Sequence, residues 1–232
     1  MKPSLRQIGT NIIELFWAEK PTDLLLQHIL GWEIAIGFQF GTDIIEIRKG
    51  FQTLSCRLNQ ELNPSALDSW KLFFESELEL SQLPEKVWEI PVCYDPIVGR
   101  DLQTLADSKS LTLDELVKLH HQASYRIHFF GFLPGFMYLN GLDPALQFRR
   151  KNIPDRKIEA GSVAIGGAQT GIYPTESPGG WHVIGRTPIS LFNPEANPPV
   201  FAKPGERIKF IPIDLEEYDQ QSQNSTFPTS HD

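Results

Sequence analysis

Residues 161–192, GSVAIGGAQTGIYPTESPGGWHVIGRTPISLF, constrain this chain more than any other stretch. Seven glycines and three prolines would suit an unfolded linker, yet Val163, Ile165, Ile172, Val183, Ile184, Ile189, Leu191 and Phe192 supply a packable apolar set. Linkers rich in glycine and proline seldom carry so many β-branched and aromatic residues. The stretch therefore predicts folded β-structure whose turns need a positive or a fixed φ. SVAI, WHVIG and PISLF are the expected strands, and Gly166-Gly167, Pro178-Gly179-Gly180 and Gly185 the expected bends. Polar groups crowd between them: Gln169, Thr170, Tyr173, Thr175, Glu176, Ser177, His182, Arg186 and Thr187. Held by tight turns on a rigid sheet or barrel, such a set forms a small-molecule or partner surface, or else serves turn chemistry alone.

At 232 residues the chain has room for one large or two small domains. A net charge of −8 argues against a nucleic-acid binder, which would present a basic surface. Two cysteines, Cys56 and Cys93, make neither a disulfide framework nor a zinc site, and buried reduced thiols are expected. The N-terminal MKPSLRQIGTNIIELFW lacks the apolar run and cleavage site of a signal peptide. No run approaches the roughly 20 apolar residues of a membrane span. The expectation is a cytoplasmic protein that binds neither membrane nor nucleic acid.

Along the chain, IGTNIIELFW reads as a strand, and Pro21 to about Gly31 as an amphipathic helix capped by Thr22 or Asp23. WEIAIGFQFGTDIIEIRKG reads as two strands around a turn at Gly41, and FQTLSCRLN as another. PSALDSWKLFFESELELSQ predicts a helix with Leu67, Trp70, Leu72, Phe73 and Phe74 as its buried stripe. VWEIPVCYD is a strand ended by Asp95-Pro96. Strands interleaved with helices suggest a small α+β sandwich over residues 1–95. A short helix, DLQTLADS, follows, and Thr112 with Glu115 forms a capping box for LDELVKLHHQA. His120 and His121 are adjacent and so diverge on a helix, which speaks against joint metal ligation; no metal site is expected. Residues 125–130 form a strand, 131–146 a compact aromatic loop, and RIKFIPI a last strand before a polar tail. Arg149, Arg150, Lys151, Arg156 and Lys157 are a basic cluster in an acidic chain. They suit an anionic ligand or a cation-guarded strand edge.

EIPVCYD, GRDL, LTLDELVKLHHQASYRIHFF, GFLPGFMYLNGLDPAL and AGSVAIGGAQTGIYPTESPGGWHVIGRTPISLFNP together resemble the family of 5-oxoprolinase B subunits. That family includes the KipI-type inhibitors of sporulation histidine kinases and proteins called allophanate hydrolase subunit 1. The resemblance is dense over residues 88–213 and loose before them. Met137 and Glu159 depart from it, standing where the family usually has proline. The resemblance implies an α+β fold class, a small α+β sandwich domain at 1–95 and a cyclophilin-like β-barrel at 96–215, while the Gln, Ser and Asn content of 216–232 predicts a flexible polar tail. It implies a non-autonomous subunit that works with the A and C subunits, the C subunit closest, in ATP-dependent cleavage of 5-oxo-L-proline to L-glutamate. ATP belongs to the complex, and no cofactor is evident in this chain alone. A phosphate loop of the G-x-x-x-x-G-K-[ST] type and a G-x-S-x-G elbow are both missing from the sequence. Arg149, Arg150 and Arg186 suit a carboxylate or phosphate, and Gln169, Thr170, Ser177 and His182 a lactam amide. His182 is the acid–base candidate, against a structural hydrogen bond as its plainer role. The alternatives are a kinase inhibitor docking on a sensor histidine kinase, and a relative of allophanate hydrolase or of the biotin-dependent urea carboxylase.

Overall fold

The computed structural model describes residues 1–223 and 228–231. Two compact units divide at Leu83 and Pro84. In the first, β1 (Ser4–Ile8), β2 (Ile12–Phe16), α1 (Asp23–Phe40), β3 (Ile44–Lys49), β4 (Thr53–Leu58) and α2 (Pro64–Phe73) follow in order. The strands form one antiparallel sheet in the order β1-β2-β4-β3. Ile13, Leu15, Leu54 and Cys56 are buried together with Leu25, Ile29, Trp32 and Ile36 of α1 and Trp70 of α2. Full burial of one such side chain stabilises by about 1.5–3 kcal/mol, so this shared layer holds sheet and helices together.

Helix α1 is longer than its sequence suggests. Thr22 caps it, its hydroxyl accepting from the Leu25 N–H, but the helix runs through Gly31 to Phe40, where the first of two strands was expected; the second is β3. Isoleucine and aromatic residues at 32–38 resemble a strand, yet the buried positions 25, 29, 32 and 36 keep helical spacing. Gly31 lies inside the helix and is glycine because a Cβ there would lie 2.7 Å from the Glu79 carbonyl oxygen. Helix α2 starts at Pro64 after an Asn63 cap; of its expected stripe, Trp70 and Phe74 are buried and Leu72 is exposed.

The second unit contains β5 (Val87–Cys93), α3 (Leu102–Lys109), α4 (Leu113–Gln122), β6 (Ser124–Phe130), β7 (Met137–Asn140), β8 (Asp155–Ile158) and β9 (Ser162–Gly166). Then come β10 (Gln169–Ile172), β11 (Ser177–Gly179), β12 (His182–Arg186), β13 (Arg207–Ile213), α5 (Leu215–Gln223) and β14 (Thr229–His231). Seven strands in the order β12-β9-β10-β7-β6-β13-β5 close into a barrel where β12 meets β5. The α+β class with a C-terminal β-barrel is therefore what the chain adopts. Strand β5, placed by its sequence within residues 1–95, pairs in parallel with β13 along its whole length and belongs to the barrel. The ladder closes at Arg186 and Cys93, and Gly185 serves this join rather than a bend. A Cβ there would sit 2.7 Å from the Cys93 carbonyl oxygen.

Other turns also differ from the sequence reading. PISLF is not a strand: Ile189 and Leu191 are buried in alternation, but the Ile189 N–H bonds locally to the Thr187 hydroxyl. Pro178 and Gly179 lie within β11, which pairs with β8 as a separate ribbon. Within the expected polar tail at 216–232, residues to Gln223 form α5, and β14 pairs with β5. Residues 224–227 and 232 of that tail lie outside the described residues. Among the described residues no helix is long and apolar enough to cross a membrane.

Candidate functional site

A cleft of about 360 Å³ opens on the barrel unit, walled by aromatic rings and edged by two cations. Its geometry begins in the hairpin between β6 and β7. The Leu133 N–H bonds to Gly131 O (2.8 Å) and the Phe136 N–H to Leu133 O (3.0 Å), folding the loop tightly enough that Phe132 takes φ 68°. This places Phe136, 1% exposed, at the centre of the wall. Its ring makes edge contacts with Phe132 (5.5 Å), Tyr173 (5.3 Å) and Trp181 (5.5 Å), while Tyr138 of β7 stacks on Phe129 at 4.4 Å. Edge-to-face and offset pairs at these separations are favourable beyond the area they bury. Trp181, ahead of β12, lies against Gly166 of β9, where a Cβ would come within 2.5 Å of the indole. The β8–β11 ribbon completes the cleft with Pro154, Pro178, Gly179 and Gly180.

The two cations differ in their commitments. The Lys151 ammonium bonds to both carboxylate oxygens of Asp101 (2.8 Å each) and to Asp155 (2.7 Å). Arg100 reaches the same Asp155 at 2.6 Å, and Asp101 also accepts from the Val183 N–H at 2.8 Å. Two cations thus balance two carboxylates, and the cluster ties the start of α3 to β8 and β12. Arg150 has no ion pair among the described residues; its guanidinium lies over Trp181, 5.4 Å from the ring centroid. Burial pushes the Tyr173 phenol up to about 12, against the opposing pull of Arg150 among other groups.

The side chains singled out in the sequence are dispersed. Arg150 enters the cleft; Arg149 is exposed, and its carbonyl oxygen accepts from His182 Nε2 at 3.1 Å. That bond and an edge contact with Phe148 (4.8 Å) hold the His182 ring, which is not part of the cleft lining. Arg186 pairs with Glu159 and donates through Nε to the Ala160 carbonyl at 2.8 Å. The Ser177 hydroxyl and Gln169 Oε1 are buried without a hydrogen-bond partner among the described residues.

Thr170 sits fully buried within the barrel. Its hydroxyl donates to Ala164 O (3.1 Å) and lies 2.9 Å from His120 Nε2. Having spent its proton on the carbonyl, the hydroxyl accepts from Nε2–H, so His120 Nδ1 is the acceptor for the Tyr94 hydroxyl at 2.8 Å. Burial drives the His120 pKa down to about 3, and its neutral ring stacks on Phe210 of β13 at 4.8 Å. The helix histidine thus serves the barrel core.

Sequence reasoning treats the aromatics Phe132, Phe136 and Tyr138 as loop packing and does not connect them to Tyr173 and Trp181. The available signal is the basic run 149–151 beside an aromatic-rich turn and a second aromatic pair flanking SPGG.

The family of the carboxyltransferase domain, subdomain C and D, matches residues 3–202. A Bacillus subtilis protein named as the B subunit of 5-oxoprolinase is 39% identical over 144 residues, 62% of this chain and 60% of that one. The Escherichia coli O157:H7 protein of the same name is 35% identical over 196 residues, 84% of this chain and 89% of its own. Among solved structures, TTHA0988 superposes with a TM-score of 0.76 at 29% identity, covering 88% of this chain but 40% of that one. Kluyveromyces lactis urea carboxylase shares the fold at a TM-score of 0.80 and 19% identity, over 98% of this chain and 23% of its own. The chain therefore spans less than two thirds of the B. subtilis protein and of both structural neighbours.

Proposed function

The chain belongs to the family of 5-oxoprolinase B subunits, within the carboxyltransferase subdomain C and D domain family, and from that premise we propose that it is the B subunit of an ATP-dependent 5-oxoprolinase. The observation that carries the reading is the 35% identity maintained over 89% of the E. coli protein of that name. The chemistry accounts for the need for further subunits. A lactam is a poor electrophile; phosphorylation of its carbonyl oxygen by ATP releases ADP and activates the carbon. A first water then adds and the C–N bond breaks to leave an open-chain acyl phosphate, and a second water displaces phosphate to give glutamate. The cleft of this chain offers aromatic surface and one uncommitted guanidinium, and among the described residues no activated nucleophile lines it. Its share of the reaction is to hold substrate, while the A and C subunits supply nucleotide handling and the hydrolytic step. The test is reconstitution. The purified chain alone is expected to release no glutamate from 5-oxo-L-proline, and addition of the A and C subunits to restore ATP-dependent release. Robust turnover by the isolated chain, or none by the assembled three, refutes the assignment.

A further inference from the structure

Resting on that reading, we propose that the cleft between Phe136 and Trp181 is the substrate subsite of the complex, taking a flat five-membered ring with a single carboxylate, with Arg150 as the residue that reads the carboxylate. Three observations on this unit converge. First, the walls are ring faces and edges from Phe132, Phe136, Tyr138 and Trp181, a surface that packs a flat ring by area and leaves little to hydrogen-bond. Second, the cavity, at about 360 Å³, lies near the lower end of the roughly 300–1,000 Å³ range of small-molecule pockets, which suits a small ligand. Third, the balance of charge selects a monoanion.

Of the charged groups placed at the cleft, most cancel. Lys151 and Arg100 are answered by Asp101 and Asp155 at 2.6–2.8 Å, so that cluster contributes no net charge. The Tyr173 phenol, raised to about 12, stays neutral at physiological pH. Arg150 alone is left, and its side chain is already oriented on the Trp181 face. One guanidinium fork matches one carboxylate. A nucleotide triphosphate would bring several negative charges to a cleft with one uncommitted cation and with Asp101 and Asp155 close by. The same arithmetic therefore assigns the nucleotide to another surface of the complex and leaves this cleft to the lactam acid.

The experiment is calorimetric titration of the full isolated chain with three probes: 5-oxo-L-proline, 2-pyrrolidinone (the same ring without the carboxylate) and ATP. Binding is expected for 5-oxo-L-proline, with at least about tenfold weaker binding of 2-pyrrolidinone, and ATP failing to displace the acid. Arg150 is exposed, so Arg150→Ala leaves the fold intact; it is expected to abolish the preference for the acid, while Arg150→Lys keeps part of it. Phe132→Ala, which removes a rim ring 60% exposed, should weaken acid and lactam alike. Equal binding of acid and lactam, competition by ATP, or an unaltered Arg150→Ala overturns the proposal, as does absence of any binding by the wild-type chain. The two readings fail separately. If the three subunits turn over 5-oxo-L-proline but Arg150→Ala leaves KM unchanged, the function stands and this subsite falls. If the three are inactive while the chain still selects the ring acid through Arg150, the subsite stands and the subunit assignment falls.

Discussion

Lowering the pH from 7.5 to 5 is expected to destabilise the barrel by about 2 kcal/mol through His120 alone. His120 is fully buried, donates to Thr170, accepts from Tyr94 and stacks on Phe210, an arrangement that fits only the neutral ring. Its folded pKa is driven down to about 3, whereas the unfolded chain returns it to the ordinary value near 6.5. A depressed histidine pKa means that the unfolded state takes up the proton first. Its contribution is therefore complete above about pH 6.5 and falls away as the pH drops from there toward 3. Over the interval to pH 5 the unfolded state gains about 2 kcal/mol from protonation and the folded state almost nothing. The figure is insensitive to the folded value, since any pKa below about 4 changes it by only ~0.1 kcal/mol. His28 is shifted in the same direction but lies in the first unit, so the measurement must be local to the barrel. Urea unfolding followed through the amide signals of β6 and β13 at the two pH values supplies it. Nitrogen shifts of the His120 ring should stay constant between pH 7.5 and 5 in the folded chain. A ring that titrates with a midpoint above pH 5, or barrel stability that is level across the interval, refutes the buried-neutral assignment.

Two substitutions separate the cleft from its surroundings. Gly166→Ala should destabilise the barrel by roughly 1–3 kcal/mol in urea unfolding and reduce ligand affinity, because the added methyl meets the Trp181 indole at 2.5 Å and forces the ring into the cleft. Arg186→Ala should leave the KM for 5-oxo-L-proline in the assembled complex within about twofold and cost about 1 kcal/mol or less of stability, since its partly exposed guanidinium is engaged with Glu159 and Ala160.

What can be read from the sequence is chiefly what is local. The Thr112–Glu115 capping box, the Thr22 cap and the strands at 87–93, 124–130 and 207–213 each rest on signals within a few residues, and the structure contains them. Where a residue's role depends on a distant neighbour, the local signal misleads. Gly185 looks like a bend and is a close approach to Cys93, far away in the chain. PISLF alternates like a strand because Thr187, Ile189 and Leu191 are buried, but alternation records burial, and the backbone bonds locally. Residues 32–40 carry β-branched and aromatic side chains, and tertiary burial of Trp32 and Ile36 against the sheet overrides that preference.

The cleft is hidden from sequence for a related reason. Core and binding surface draw on the same aromatic residues, and sequence spacing alone does not say whether the face of a ring meets another side chain or an opening. Phe136 is as buried as any core residue, yet its neighbours Phe132, Tyr138 and Trp181 leave a cavity before them. The polar residues between the turns at 161–192 stand out because polar groups in a folded glycine-rich segment demand partners. For three of them the structure supplies partners from within, Glu159 for Arg186, His120 for Thr170 and the Arg149 carbonyl for His182, whereas the Ser177 hydroxyl and Gln169 Oε1 find none among the described residues. A side chain whose hydrogen bonds are already made has little left to offer a ligand. Arg150, one residue from Lys151 and indistinguishable from it in a count of basic residues, keeps its charge uncommitted because Asp101 and Asp155 are both occupied by its neighbour. On the proposed reading, the substrate site is marked by an uncommitted charge beside an aromatic wall more than by the density of polar residues.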